Sequence, residues 1–361
     1  MPSSTRGCAV PDITESGIAG PDTTADAVAS SPLLAVRDLR VAFRTRAGVV
    51  NAVNGLSFSV APGEVLGIVG ESGSGKSVSM YSMMGLLDNP NATITGSARF
   101  DGAELIGMPT KRLNRIRGNR ISMIFQDPMT ALTPVYTVGW QIVEQIMNHE
   151  KVTKAEAWSR AVHLLDEVGI PDAERRARSY PHEFSGGMRQ RVMIAMSLAC
   201  HPSLLIADEP TTALDVTTQR QILELIGDLQ AKYGSSVILI THDMGVISEA
   251  ADRVIVMYAG RAVEMGDEST VVRRPRHPYT WGLLGAIPKP GQRKQRLPTI
   301  PGLPPGPRDQ PTGCPFQKRC RFAMEQCSTL PPLIATGEEQ NHLDACWLPD
   351  EVREELREEV A

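Results

Sequence analysis

A lysine, a hydroxyl and two carboxylates are spaced along this chain in the way that phosphate chemistry requires. Gly70, Glu71, Ser72, Gly73, Ser74, Gly75, Lys76 and Ser77 spell G-x-x-x-x-G-K-S directly after the apolar run Val65–Val69. Glycines let the backbone curl so that its N–H groups face a phosphate. A helix starting at the lysine adds its positive N-terminal end. Lys76 reaches the outer phosphates, the Ser77 hydroxyl ligates Mg²⁺, and Val78 continues the first helical turn of the nucleotide contact. By itself the loop leaves kinases, GTPases, helicases and transport ATPases open. The absence of an N-K-x-D guanine-reading motif disfavours a GTPase.

Three further groups narrow the field. The apolar run Leu204-Leu205-Ile206-Ala207 ends in Asp208-Glu209. Asp208 is placed to hold Mg²⁺ through water, and Glu209, one residue on, to polarise a water for attack on the γ-phosphate. Thr241-His242-Asp243 follows another apolar strand and makes His242 a γ-phosphate contact. Phe184-Ser185-Gly186-Gly187-Met188-Arg189-Gln190-Arg191 opens an apolar helix running through Ala199, and a hydroxyl with two glycines at a helix start is a second anion site. One chain with two separate phosphate cradles is most simply satisfied by a head-to-tail pair, each partner closing its second cradle on the nucleotide held by the other's loop.

Taken in this order, the motifs resemble those of ATP-binding cassette (ABC) ATPases from about Leu33 to the C-terminus. Ser185, Gly186 and Gly187 match the family signature, with Phe184 and Met188 in place of the commoner Leu and Gln. Gln126, in Ile124-Phe125-Gln126-Asp127-Pro128, matches the glutamine loop, which touches Mg²⁺ and the membrane partner. Asp215, in Ala213-Leu214-Asp215, matches a dimer-contacting loop, and Phe43 the adenine-stacking aromatic. The resemblance implies ATP and Mg²⁺ as ligands and ATP hydrolysis as the activity. It implies a second, non-identical ATPase subunit, two transmembrane permease subunits and, indirectly, an extracytoplasmic solute-binding protein. It gives no role to nucleic acid. DNA-repair and translation members of the family are disfavoured, since this chain has neither a long coiled-coil insertion nor a second cassette. Arg274-Pro275-Arg276-His277-Pro278-Tyr279-Thr280 and Phe125–Pro134 resemble the importers of oligopeptides and dipeptides, with nickel and other small-solute importers as the alternative. On local physics alone, HPYT reads as a surface turn.

Two of the six cysteines, Cys8 and Cys200, are isolated, whereas Cys314, Cys320, Cys327 and Cys346 crowd into the tail. Clustering in a reducing compartment points to a metal rather than to disulfides. Four thiolates suit either tetrahedral zinc or an iron–sulfur cluster. The resemblance to the peptide importers implies a 4Fe–4S cluster on these four residues, stapling a proline-rich segment that builds little core of its own.

The elements that must position these groups follow from texture. Strands are expected at Leu34–Phe43, Ala52–Val60, Val65–Val69, Ile121–Phe125, Leu204–Ala207, Val237–Ile240 and Val254–Met257, with an amphipathic helix over Gln219–Lys232. Alternating strands and helices predict a parallel sheet covered by helices. The expected fold is therefore an α/β P-loop NTPase core; the resemblance adds an antiparallel β subdomain. Helices at Tyr136–Ile146 and Ala155–Val168 predict an all-helical insertion, about residues 127–184. The expected division is a disordered leader over 1–32, a cassette over 33–272 and an extension over 273–361. In that extension, prolines from about Gly266 onward predict an extended strap leading to the cysteines.

A net charge of −4 and a pI near 6.0 give no global field for nucleic acid. The basic runs Arg273–Arg276 and Arg293–Arg296 read as solvated surface, with contact to lipid headgroups or an acidic partner as the alternative. No apolar stretch approaches 18 residues and no secretory signal is visible, so the expected location is peripheral, on the cytoplasmic face of the inner membrane.

Overall fold

Strands that are apolar throughout belong inside a covered sheet, and strands that alternate belong where one face meets solvent. The computed structural model describes residues 31–212, 214–287, 299–306, 308, 310–335 and 340–358. The expected leader (but for Ser31 and Pro32), Ala213, the basic run Arg293–Arg296 and the strap residues Pro298 and Pro307 lie outside the described residues. In chain order the strands are β1 (Leu34–Thr45), β2 (Gly48–Val60), β3 (Val65–Val69), β4 (Ala92–Phe100), β5 (Ala103–Glu104) and β6 (Ile121–Ile124). They continue as β7 (Leu204–Asp208), β8 (Ser236–Thr241), β9 (Arg253–Tyr258), β10 (Arg261–Asp267), β11 (Ile334–Ala335) and β12 (Leu343–Asp344).

Two sheets result. The larger has the order β11-β12-β10-β9-β3-β8-β7-β6, with β9, β3, β8, β7 and β6 mutually parallel and β10, β12 and β11 added antiparallel. The smaller, β2-β1-β4-β5, is antiparallel throughout. Every residue of β6, β7 and β8 is buried. Side chains of a strand alternate between faces, and here they serve two cores. Leu66, Ile68, Leu204, Ile206, Ile238 and Ile240 join the smaller sheet and the helix Lys76–Met83. Val69, Leu205, Ala207, Val237 and Leu239 join the helices on the opposite side, including Gly186–Leu198 and Val216–Tyr233. Each such aliphatic side chain contributes about 1.5–3 kcal/mol on burial, so both faces resist a register slip, which would turn them out together.

Between Pro134 and Pro181 the described residues form helices and no strand. Helix Val138–His149 starts two residues later than expected and ends three later, and helix Lys154–Glu167 is held at its start by a Thr153/Glu156 capping box. Five strands were not expected: the two-residue β5, β11 and β12, and the longer β4 and β10. β4 carries Gly96 at φ +99, where an added Cβ would lie 2.4 Å from the Asp38 carbonyl oxygen, so a residue that normally marks a turn sits inside a strand. β10 mixes charges into its core-facing run and hides Glu264, fully buried.

The tail requires a correction. An extended strap from about Gly266 is not what forms. Helices Glu268–Arg273 and Pro278–Gly285 come first, and among the described residues 299–306 and 310–324 form neither helix nor strand. Pro278 does not prevent the second helix because it occupies the first turn, where no N–H is needed, and His277 Nδ1 caps it by accepting from the Tyr279 N–H at 3.1 Å.

Candidate active site

Strand register brings the chemical groups to one edge. Val69 pairs with Thr241, Asp208 with Ile240, and Ile124 with Ala207. The residues that follow (Gly70, His242, Glu209 and Gln126) therefore leave the sheet at the same carboxyl-terminal edge, where open α/β sheets bind ligands.

At Gly70 an added Cβ would lie 2.2 Å from the Met257 carbonyl oxygen, and at Gly75 (φ +97) 2.5 Å from the Ala52 carbonyl oxygen, so backbone packing admits only glycine at both. Gly75 is the N-cap of helix Lys76–Met83. Lys76 is buried, and its Nζ donates to the carbonyls of Gly70 at 2.6 Å and Glu71 at 3.1 Å. Burial pulls its pKa down, opposed by Glu209, Asp208 and Glu71. Ser74 Oγ is buried with no hydrogen-bond partner, while Ser72 and Gly73 are exposed and Val78 is half-buried against the core.

The Ser77 hydroxyl donates to Asp208 Oδ1 at 2.8 Å. Asp208 is fully buried, which pushes its carboxyl pKa up against the opposing pull of Ser77 and Tyr81. A buried carboxylate beside a serine hydroxyl is an all-oxygen donor set of the kind a hard divalent cation takes, and it fits Mg²⁺.

Glu209 gathers the rest. Its Oε2 accepts from Gln126 Nε2 at 3.0 Å and from the Thr212 hydroxyl at 2.8 Å, and lies 3.5 Å from His242 Nδ1. Its backbone sits at φ +46, left-handed for a residue with a Cβ. Strain of this kind persists where the surroundings over-determine it, and it clusters at functional sites. Gln126, Glu209 and His242, far apart in sequence, are thus brought together. Thr212 joins them unforeseen; only its distance of three residues from Glu209 hinted at the contact.

Other expected groups stand apart. Ser185 caps helix Gly186–Leu198 by accepting from the Met188 N–H at 3.3 Å; it and Gly186 are exposed, and Gly187 is half-buried. Among the described residues no hydrogen bond joins them to Gly70–Ser77. Asp215 caps helix Val216–Tyr233 through the Thr218 N–H at 3.0 Å and the Thr218 hydroxyl at 2.7 Å, and these bonds hold its carboxyl below the usual range. Phe43 is half-buried on the sheet, paired with Val50 and Ala92.

The tail cysteines share a neighbourhood without converging. The Cys314 N–H donates to the Cys327 carbonyl at 2.8 Å, and both residues are buried. Burial pushes the Cys320 thiol up to about 11 and the Cys346 thiol up to about 12, which favours the neutral form. Among the described residues no group of three or more His, Cys, Asp or Glu is arranged to hold a metal ion. The expectation of a 4Fe–4S cluster on Cys314, Cys320, Cys327 and Cys346 is therefore not supported, and no chemistry is routed through them.

HPYT also departs from expectation. His277, Pro278, Tyr279 and Thr280 are buried, and the Tyr279 hydroxyl accepts from the Glu71 N–H at 2.8 Å, inside the phosphate loop. Burial of Tyr279 between Tyr258 and Phe316, rings 4.6 and 5.4 Å away, makes this an interior anchor and not a surface turn. In the basic run, Arg273 and Arg274 are exposed, but the Arg276 N–H donates to buried Glu264 at 2.7 Å.

Comparisons with known proteins agree with this geometry. The ABC transporter family profile matches residues 53–212, and that of the C-terminal region of oligopeptide/dipeptide transporters matches residues 263–327. The oligopeptide transport ATP-binding protein OppD of Salmonella typhimurium is 53% identical over 319 residues, covering 88% of this chain and 94% of the relative. OppD of Haemophilus influenzae is 51% identical over 321 residues, covering 89% and 98%. Among solved structures, the dimeric ATP-binding cassette MJ0796 bound to ADP and Pi superposes with a TM-score of 0.58 at 27% identity, over 65% of this chain and 98% of that one. CbiO1 of Clostridium perfringens gives 0.57 at 28% identity, over 67% and 91%. With the phosphate loop, the Asp208–Ser77 pair and the Glu209 cluster in one edge of an ABC ATPase fold, and with relatives this similar along nearly their whole length, the chain belongs to the ABC transporter family of ATP-binding proteins.

Proposed function

We propose that this chain is the ATP-hydrolysing subunit of a binding-protein-dependent ABC importer that energises uptake of di- and oligopeptides. The observation that carries the hydrolytic part is the cluster on Glu209, beside a buried carboxylate already bonded to Ser77. In this reading Lys76 and the amides of Gly70–Ser77 bind the phosphates of ATP and offset their charge. Ser77, Gln126 and Asp208 would hold Mg²⁺, which would supply neutralisation of the charge on the phosphates. Glu209, oriented by Thr212 and Gln126, positions the attacking water, and His242 contacts the γ-phosphate. Phe43 stacks on adenine, and Val78 completes the first turn around the phosphates.

The exposed Ser185 and Gly186 and the half-buried Gly187, with Asp215, complete the site of a second ATPase subunit placed head to tail. In this branch that subunit is a non-identical one. Two permease subunits take up the closing motion through Gln126 and the helices between about 127 and 184, and an extracytoplasmic binding protein delivers the peptide. The location that goes with this is peripheral, at the cytoplasmic face of the inner membrane; among the described residues no helix is long and apolar enough to cross one. The proposed division is a leader at 1–32, the cassette at 33–272 (with the smaller sheet as its antiparallel subdomain) and the extension at 273–361. A 4Fe–4S centre in that extension would be its finest detail, supported only by the clustering of four cysteines. Anaerobic purification with iron and sulfide assay tests it, and a colourless protein with stoichiometric zinc refutes it.

The function is tested by solubilising membranes and isolating the tagged chain. Two permeases and a second ATPase are expected to co-purify, with ATP turnover raised by peptide-loaded binding protein. Isolation alone, with turnover indifferent to peptide, would refute the importer.

A further inference from the structure

Glu71 is an awkward residue for its place. It lies within a loop built to hold a polyanion, and an uncompensated carboxylate there repels the ligand. The compensation comes from 248 residues away. Arg319 Nη1 donates to Glu71 Oε2 at 2.6 Å and Nη2 to Oε1 at 3.0 Å, a bidentate pair. The Arg319 side chain is 5% exposed, against 30% for that of Glu71. Its remaining donors are also used: Nε to the Pro301 carbonyl at 2.9 Å, Nη2 to the Ile300 carbonyl at 3.3 Å and Nη1 to the Tyr258 hydroxyl at 3.3 Å. The guanidinium lies 5.8 Å from the Tyr258 ring centroid and 5.9 Å from that of Phe316.

A buried arginine satisfied on every side is a fixed point, not a mobile surface charge. Glu71 is gripped at its backbone too. Its N–H goes to Tyr279, and its carbonyl accepts from Lys76 Nζ at 3.1 Å and from the Ser74 N–H at 3.2 Å. The second residue of the phosphate loop is therefore tied by side chain and backbone to the C-terminal segment, next to Cys320.

We infer that Arg319 is a positioning residue of the ATP site, which acts through Glu71 to hold the phosphate loop in place and to cancel the one negative charge within it. This rests on the proposal that Gly70–Ser77 binds ATP. It assigns the C-terminal segment a part in nucleotide affinity, beyond any part in transporter-type recognition. A clamp that served only to fasten the tail would alter melting temperature and leave affinity alone.

The test is a cycle of full-length variants, Arg319→Gln, Glu71→Gln and both together, titrated with Mg-ATP by calorimetry, with melting temperature measured in parallel. Arg319→Gln is expected to raise the Kd on the order of tenfold, and to leave it unchanged when introduced into the Glu71→Gln background. An unaltered Kd in folded Arg319→Gln, or an equal loss in both backgrounds, overturns the inference. Should Arg319→Gln fail to fold, Arg319→Lys carries the same comparison, with a smaller rise that again vanishes in the Glu71→Gln background; an equal change in both backgrounds overturns it. Lys76→Ala is the control for the loop itself. If that variant binds ATP as the parent does, the fault lies in the assignment of the loop and not in Arg319.

Discussion

Replacing Glu209 by Gln removes a charge and leaves the shape. The amide oxygen still accepts from the Thr212 hydroxyl, now 2.8 Å from Oε2, and the Gln126 contact at 3.0 Å involves the same position. The Glu209 side chain is only 13% exposed, so the fold loses little when the charge goes. What disappears is the ability to accept a proton from water. A positioned base contributes about 10²–10⁴ in rate, and at about 1.4 kcal/mol per decade that is about 3–5 kcal/mol of transition-state stabilisation. Ground-state contacts from Lys76, Ser77 and Asp208 are untouched, so ATP binding should persist. The expected phenotype is phosphate release slowed by that factor, ATP affinity retained, and a closed ATP-bound dimer visible by sedimentation in the presence of the partner ATPase. Phosphate release at the parent rate would refute the role assigned to Glu209. Loss of ATP binding along with turnover would refute the separation of binding from chemistry.

Other expectations follow from the geometry. Gly70→Ala should cost about 3 kcal/mol of stability, because the new Cβ meets backbone that has nowhere to move; a melting temperature equal to the parent's would contradict the packing described. Gly186→Arg should leave melting temperature and ATP binding by the isolated chain intact, since nothing lies within 4 Å of a Cβ built there, while abolishing ATP-driven association; undiminished association would count against the second cradle. His277 is buried and neutral, its pKa pulled down to about 4 mainly by burial, with Arg353 acting in the same sense and Glu264 and Asp344 against it. The unfolded chain binds a proton near 6.5 that the folded chain refuses until about 4. Its contribution is therefore complete above about pH 6.5 and is lost as pH falls toward 4, about 3 kcal/mol in all. His277→Asn keeps a capping side chain and should flatten chemical-denaturation stability across that window; an unchanged slope would refute this.

Legibility followed the range of the interaction. The phosphate loop was readable because each of its residues answers to local geometry: a curled backbone, a helix start, an apolar strand before it. The parallel strands were readable from their unbroken apolar texture, to within a residue or two at most ends. β4 was not, because Gly96 serves a close approach to Asp38 that no local pattern records. HPYT was misread as surface since its four residues look polar and turn-like until Tyr258 and Phe316 close over Tyr279.

Consecutive residues are enough to specify the chemistry on offer: two anion cradles, a magnesium-competent acid and a candidate base, each at the end of an element whose periodicity is local. Which of these meet is set by how distant segments pack. Sheet register set Gln126, Glu209 and His242 around one carboxylate oxygen and left Ser185 facing outward. The path of the tail brought Arg319 and Tyr279 onto Glu71. Such pairings depend on where distant segments come to rest, and a charge or a hydroxyl carries no periodic signal that says what it will face.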